Sequence, residues 1–125
     1  MTRLEHVNIT VSDPKRSAAL MDTLFGWKIR WEGDSMNGGY TVHVGSEEDY
    51  LAFYKPPNVS KPIEVSYDVI NGLNHVALVV DNLDEVEAKV LAAGFATNNH
   101  GDYEPGRRFY FRDHDNIEFE IVNYD

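Results

Sequence analysis

The chain contains two copies of one short strand pattern. Residues 4–11 (LEHVNITV) and 73–80 (LNHVALVV) share Leu, His and Val at equivalent positions, so that His75 follows His6 by 69 residues. The other positions are mostly apolar, and runs of this kind are typical of strands with a buried face. A repeat at this period predicts two copies of one supersecondary unit, each of which must bury its apolar face.

Each predicted strand is followed by a predicted helix. In the first copy Asp13 is a good N-cap, Pro14 fits the first helical position, and Gly26 ends the helix. In the second copy Gly94 ends the helix and follows Gly26 by 68 residues. The apolar residues at helical spacing are Ala18, Leu20, Met21, Leu24 and Phe25 in the first copy and Leu83, Val86, Val90 and Leu91 in the second. Strand and helix therefore keep nearly the same offset.

Three further strands are predicted after each helix. They are residues 27–31, 39–44 and 50–54 in the first copy and 95–97, 108–111 and 117–122 in the second. The predicted fold class is α+β, with two βαβββ modules that form a partly open, mixed, β-barrel-like cavity. The expected organisation is a single domain with module 1 at about 1–54, a linker at about 55–72 and module 2 at about 73–125. Because one module alone exposes a face of its sheet, the modules pack within one chain or are exchanged between two chains.

Charge and composition exclude several classes of partner. The formal net charge is −10, with 21 acidic and 11 basic residues, which argues against binding to nucleic acid or to an anionic membrane surface. No apolar run reaches the roughly 18 residues that cross a bilayer, and no signal-peptide core is readable, so a cytoplasmic location is expected. The absence of cysteine means that any metal ion must be bound by nitrogen and oxygen.

Two histidines and one glutamate form a candidate metal site. His6 and His75 occupy equivalent positions in the repeated strands, so a pseudo-twofold arrangement brings them to one cavity. Glu120 lies on the inward face of the last strand, where a carboxylate is costly unless it meets a cation or a donor. Such a ligand set leaves coordination positions open for water or substrate. A lone strand histidine is more often an ordinary buried residue, but repetition at one module position favours the metal site.

The same segments carry a family resemblance. Residues 4–7 (LEHV), 73–76 (LNHV) and 111–120 (FRDHDNIEFE) resemble the metal-bearing strands and the closing signature of the vicinal oxygen chelate superfamily. That superfamily includes glyoxalase I, methylmalonyl-CoA epimerase, extradiol dioxygenases, fosfomycin-resistance enzymes and bleomycin-binding proteins. The resemblance implies a divalent metal (Zn, Mn, Ni or Fe), a small-molecule substrate and a homodimer, and it makes Glu120 the final metal-binding glutamate. His114 and Asn116 replace the Pro and Gly of the signature, and Asn tolerates the left-handed conformation of such a turn.

The chain departs from the family pattern at Ala52, where many members carry Glu or Gln as a fourth ligand. Alanine binds no metal and moves no proton, so a glyoxalase I or epimerase chemistry that uses this residue as its base would need a substitute. Glu118 has the inward parity, although it is as readily a solvated carboxylate at a strand end. His43 lies one strand from Ala52 and faces either side of the sheet.

Five residues are candidates for substrate binding. Asn8 lies on the same face of its strand as His6. Tyr50 and Tyr54 lie on the same face as Ala52, where they act as aromatic pocket walls, as hydroxyl donors or only as packing residues. Residues 98–108 are predicted to form a loop that offers Arg107 or Arg108 to an anionic group, or that is a solvated turn.

These features favour a small metal-dependent enzyme. Its metal chelates an oxygenated substrate and stabilises an oxyanion or enolate, as in a glyoxalase-like lyase or isomerase. An extradiol dioxygenase uses the same kind of ligand set but is usually longer, and a fosfomycin-type thiol transferase is expected to need residues beyond the last strand. A metal-free, drug-binding protein is the alternative from another class, and His6, His75 and Glu120 argue against it.

Overall fold

The computed structural model describes residues 1–64 and 66–124. Asp125, the predicted end of module 2, lies outside the described residues, as does Val65. The chain divides into two compact units, Met1–Lys61 and Pro62–Asp125. Each unit contains one α-helix and one four-stranded mixed sheet. The prediction of two βαβββ modules is therefore confirmed, and whether they form a single domain stays a prediction. In the described part of the chain, no helix is long and apolar enough to span a membrane.

Module 1 has one helix and four strands in the predicted order. They are β1 (His6–Thr10), α1 (Pro14–Phe25), β2 (Lys28–Asp34), β3 (Tyr40–Gly45) and β4 (Tyr50–Lys55), with a short 3₁₀ turn at Met36–Gly38. The strands lie side by side in the order β1-β4-β3-β2. Strand β1 runs parallel to β4, and the other pairs are antiparallel.

Module 2 repeats this topology. Its elements are β5 (Val76–Val79), α2 (Leu83–Ala92), β6 (Thr97–Tyr103), β7 (Gly106–Arg112) and β8 (Glu118–Asn123). The strand order is β5-β8-β7-β6, with β5 parallel to β8. The repeat in the sequence is thus a repeat in the topology.

The two helices begin and end at the predicted signals. The Asp13 side chain accepts a hydrogen bond from the Arg16 backbone N–H, and Gly26 ends α1 at a φ of 71°. Asn82 caps α2 in the same way, and Gly94 follows that helix with a φ of 96°. Side-chain oxygens at the N-cap satisfy free backbone N–H groups, and a left-handed glycine ends the helix without a Cβ clash.

Each helix covers one face of the sheet in its own module. In module 1 the fully buried residues include Met21, Leu24, Val42, Val44 and Phe53. In module 2 they are Val90, Phe109, Phe111, Phe119 and Ile121. Because strand residues alternate between faces, their neighbours in sequence lie on the other face, opposite the helix, which we call the open face of each sheet. The open faces carry most of the candidate site residues.

The prediction of a loop at residues 98–108 is wrong. The segment forms a β-hairpin made of β6 and β7, which turns at the cis Glu104–Pro105 bond. Strand β6 is polar and mostly exposed, and it is held by backbone pairing with β7 rather than by apolar burial. A hairpin of this kind has no apolar alternation that sequence reasoning can detect.

Candidate metal and substrate site

Strand register makes Ala52 and Glu120 equivalent positions of the two modules. Ala52 on β4 lies opposite Asn8 on β1, two residues after His6. Glu120 on β8 lies opposite Ala77 on β5, two residues after His75. The structure therefore places alanine in module 1 where module 2 has its carboxylate, in agreement with the departure seen in the sequence.

His75 and Glu120 are in direct contact. Nε2 of His75 lies 3.0 Å from Oε1 of Glu120, and Glu120 is buried. The other ring nitrogen, Nδ1, lies 2.8 Å from the side-chain oxygen of Asn74. With its proton on Nδ1, toward the Asn74 oxygen, the ring would present the Nε2 lone pair on the side of Glu120, where a cation held by both would satisfy the two acceptors. His75 precedes β5 by one residue rather than lying within the strand as predicted.

His6 is oriented in the same way in module 1. Its Nδ1 lies 2.9 Å from Oε1 of Glu5, the preceding residue, just as Asn74 precedes His75. The contact with His6, followed by a hydrogen bond from Tyr50, lowers the pKa of Glu5. A carboxylate or amide that holds Nδ1 is the usual support for a metal-binding imidazole.

The chemistry of the predicted ligands suits a divalent cation. The set consists of imidazole nitrogen and carboxylate oxygen, each supported by a neighbouring side chain, which suits Zn and the other predicted metals. Among the residues that the structure describes, no group of three or more His, Asp or Glu side chains is arranged to hold a metal ion. The predicted set draws on both modules, since His6 belongs to the first unit and the other two ligands to the second.

Glu120 also has a partner that the sequence did not reveal. Nη1 of Arg108 lies 2.9 Å from Oε2 of Glu120, and the two side chains are only 13% and 10% exposed. The guanidinium therefore offsets the charge of the buried carboxylate. The expectation that an inward glutamate meets a cation or a donor is confirmed, and here the cation is a guanidinium from the neighbouring strand.

Glu118 is buried, so its interpretation as a solvated carboxylate is wrong. It accepts a hydrogen bond from the Tyr67 hydroxyl and lies 3.5 Å from Nη2 of Arg112. That hydrogen bond raises the pKa of Tyr67, and burial adds to the effect. Tyr67 was missed because it lies in the stretch after the linker prolines where no pattern is readable. A carboxylate held by a guanidinium and a phenol is poorly placed to move protons.

His43 lies on the open face of module 1, directly opposite Ala52. Its ring centroid lies 4.6 Å from that of Tyr50 and 5.1 Å from that of Trp31, while Tyr50 stacks on His6 at 4.8 Å. We call His6, Trp31, His43 and Tyr50 the aromatic cluster. Burial lowers the pKa of His43, and the nearby charges of His6 and Arg30 lower it further. A neutral imidazole at neutral pH can accept a proton.

The remaining candidates have separate surroundings. Asn8 is exposed on β1, on the same face as His6. The Tyr54 hydroxyl donates to the Met36 carbonyl at 3.0 Å. Arg107 pairs with Asp84 of α2 at 2.9 Å, which places it on the helix side of its sheet. Of the two arginines offered by sequence, Arg108 is therefore the one that lies on the face of Glu120.

A model of the Glyoxalase/Bleomycin resistance protein/Dioxygenase superfamily matches residues 3–121. The chain belongs to this superfamily. The resemblance stated from the sequence is thereby confirmed. Comparison with curated protein sequences gave no significant match.

Solved structures share the fold of this superfamily member over its full length. A glyoxylase/bleomycin resistance protein/dioxygenase domain from Frankia sp. EAN1pec has a TM-score of 0.84 at 22% identity, covering 100% of this chain and 99% of that one. A FosX variant from Listeria monocytogenes, in complex with Mn(II) and 1S,2S-dihydroxypropylphosphonic acid, has a TM-score of 0.74 at 18% identity (98% and 92% covered). The antibiotic binding protein TnmS3 from Streptomyces sp. CB03234 has a TM-score of 0.75 at 15% identity (100% and 98% covered). At these identities the similarity establishes the fold.

Proposed function

We propose that this superfamily member is a small metal-dependent enzyme. It chelates an oxygenated small molecule and stabilises an oxyanion or enolate, with a glyoxalase-like lyase or isomerase as its reaction class. The observation that carries the proposal is the His75–Glu120 contact at 3.0 Å, together with the Nδ1 supports that recur at His75 and His6. The FosX complex with Mn(II) and a dihydroxylated ligand supports the same class of metal and substrate.

In this proposal His6, His75 and Glu120 hold one divalent ion, of Zn, Mn, Ni or Fe. When bound, the ion supplies Lewis-acid polarisation of a substrate oxygen. His43 takes the place of the absent fourth carboxylate, because it lies opposite Ala52 and its pKa is lowered by burial. Tyr50 stacks on the imidazole of His6 and packs at a tilt against that of His43, so it restrains both rings. Glu118 is the weaker candidate for proton transfer, because Arg112 and Tyr67 engage it.

Two alternatives remain as proposals. An extradiol dioxygenase would use the same three ligands with Fe²⁺, and it would consume O₂ with a catechol where an isomerase would not. Metal-free binding of a small molecule is favoured by two observations, the aromatic cluster of module 1 and the ion pair that Arg108 gives Glu120. The structural similarity to the antibiotic binding protein TnmS3 supports this second alternative.

A calorimetric metal titration tests the proposal. We expect the chelator-stripped wild type to bind one divalent ion per chain, and Glu120→Gln to weaken that binding by at least about tenfold, because it removes a charged ligand. The exposed Glu47→Gln is the matched control, and it should bind as the wild type does. A wild type without metal affinity, or equal affinity in the two variants, would move the binding-protein alternative ahead.

A further inference from the structure

Arg108 has an unused hydrogen-bonding edge. Its Nη1 atom binds Oε2 of Glu120 at 2.9 Å. Its Nε and Nη2 atoms are buried and have no hydrogen-bond partner in the described part of the chain. Buried polar groups are nearly always paired, and a charged donor is the costliest to leave unpaired. The two buried donors of Arg108 therefore call for an acceptor.

The two free atoms are adjacent on one side of the guanidinium. Nε–H and one Nη2–H point in the same direction, in the fork geometry that matches the two oxygens of a carboxylate. Nη1 can stay on Glu120 while this fork binds a second anion, because the planar group presents five donors in fixed directions. The free fork thus lies beside Glu120, the proposed metal ligand.

A tyrosine ring lies against this guanidinium. The ring centroid of Tyr103, at the end of β6, is 5.1 Å from Cζ of Arg108. Gly101 makes room for the contact, since a Cβ there would lie 2.5 Å from Cε1 of Tyr103 and 3.4 Å from Cγ of Arg108. Tyr103 is itself 63% exposed, so its ring can turn into solvent without disturbing the core.

We propose that Arg108 binds a carboxylate group of the substrate through Nε and Nη2, and that the Tyr103 ring covers this fork until the substrate displaces it. The substrate class is then a small oxygenated carboxylic acid. With a net charge of −10 the chain repels anions on average. An anionic substrate therefore binds only where a local cation such as the Arg108 guanidinium offsets that repulsion. The inference rests on the proposed function for the identity of the site, and its test uses metal-free protein so that the two can fail separately.

The test is an NMR titration of chelator-stripped protein with pyruvate, with the uncharged methyl pyruvate in parallel. We expect saturable pyruvate binding, a shift of the Arg108 Nε–H resonance, and no binding of the ester. Arg108→Lys keeps a cation for Glu120 but removes the fork, so it should weaken pyruvate binding at least about tenfold. Tyr103→Ala should strengthen binding severalfold because the fork is already uncovered. The exposed Arg16→Lys in α1 is the matched control and should bind pyruvate as the wild type does.

Three results would overturn the inference: no saturable pyruvate binding, binding that leaves the Arg108 Nε–H resonance unmoved, or equal affinity in wild type and a folded Arg108→Lys. Should Arg108→Lys not fold, the resonance shift and the Tyr103→Ala titration decide the question in its place. Unchanged affinity in Tyr103→Ala would overturn the covering role of the ring. If the protein binds pyruvate but has no metal affinity, the proposal of a metal-dependent enzyme fails and the inference about Arg108 stands.

Discussion

Glu87 of α2 connects the helix to β6 through two side chains. Thr97 donates its hydroxyl to Oε2 at 2.5 Å, and Nε2 of His100 lies 2.5 Å from the same oxygen. Burial raises the pKa of Glu87, but the hydrogen bonds from Thr97 and His100 outweigh it, so the pKa is lowered from its usual 4.5. A carboxyl with a lowered pKa in the folded state stabilises the protein above the unfolded value, and the contribution is lost as the pH falls through the lowered pKa.

We therefore expect Glu87→Gln to lower the free energy of unfolding by about 1.5–3 kcal/mol at neutral pH, the range for a hydrogen bond to a charged group. The difference from wild type should shrink as the pH drops below 4.5, and urea unfolding at both pH values measures it. Glu85→Gln on the same helix is the control, since the Glu85 side chain is 60% exposed and pairs with Lys89 at the longer distance of 3.4 Å. A pH-independent loss, or an equal loss in the control, would contradict this role of Glu87.

Single residues also show how far sequence reasoning reaches in the site. Strand parity and the repeat place His75 beside Glu120, and Ala52 at the position equivalent to Glu120. The pairing of Glu120 with Arg108 could not be predicted, because the two residues lie on neighbouring strands whose register cannot be read from one sequence. Register depends on backbone pairing, which leaves little trace in residue type.

Among the secondary-structure elements, the helix boundaries were predicted from their capping residues. Asp13 and Gly26 cap the two ends of α1 as expected, because capping acts locally on the backbone. Strand β6 was missed for the opposite reason. It contains a shift of register between Asn98 and Gly101, with Asn99 at a φ of 51°, so its polar residues resemble a loop. A bulged edge strand is defined by its partner rather than by its own pattern.

Gly26 offers a test of this local control. Its φ is 71°, and an added Cβ would meet nothing within 4 Å, so any cost of substitution comes from backbone conformation alone. We expect Gly26→Ala to lower the free energy of unfolding by about 1 kcal/mol, as L-residues pay in the left-handed region. Gly26→Asn should cost less, because asparagine tolerates that region. If urea unfolding gave equal stability for Gly26→Ala and wild type, the prediction would be wrong, because the backbone at the helix end would have moved out of the left-handed region at no cost.

Both sheets have edge strands through which two chains could associate. Strands β1 and β2 are the edge strands of one sheet, and β5 and β6 are those of the other. Edge strands expose backbone groups that associate readily, and the superfamily resemblance implies a homodimer. We expect sedimentation at tens of micromolar, about the range where weak contacts dissociate, to give twice the 14.2 kDa mass of one chain. A single 14.2 kDa species would contradict the prediction.

The same dimer decides which chains supply each proposed metal site. His6→Ala and Glu120→Gln each remove one ligand, so neither variant alone should bind the ion tightly. If a site takes His6 from one chain and Glu120 from the other, a mixed dimer of the two variants contains one site in which both residues are intact. Metal binding should then return after the variants are unfolded together and refolded. If each site lies within one chain, every site in the mixture lacks a ligand, and calorimetry should show no recovery.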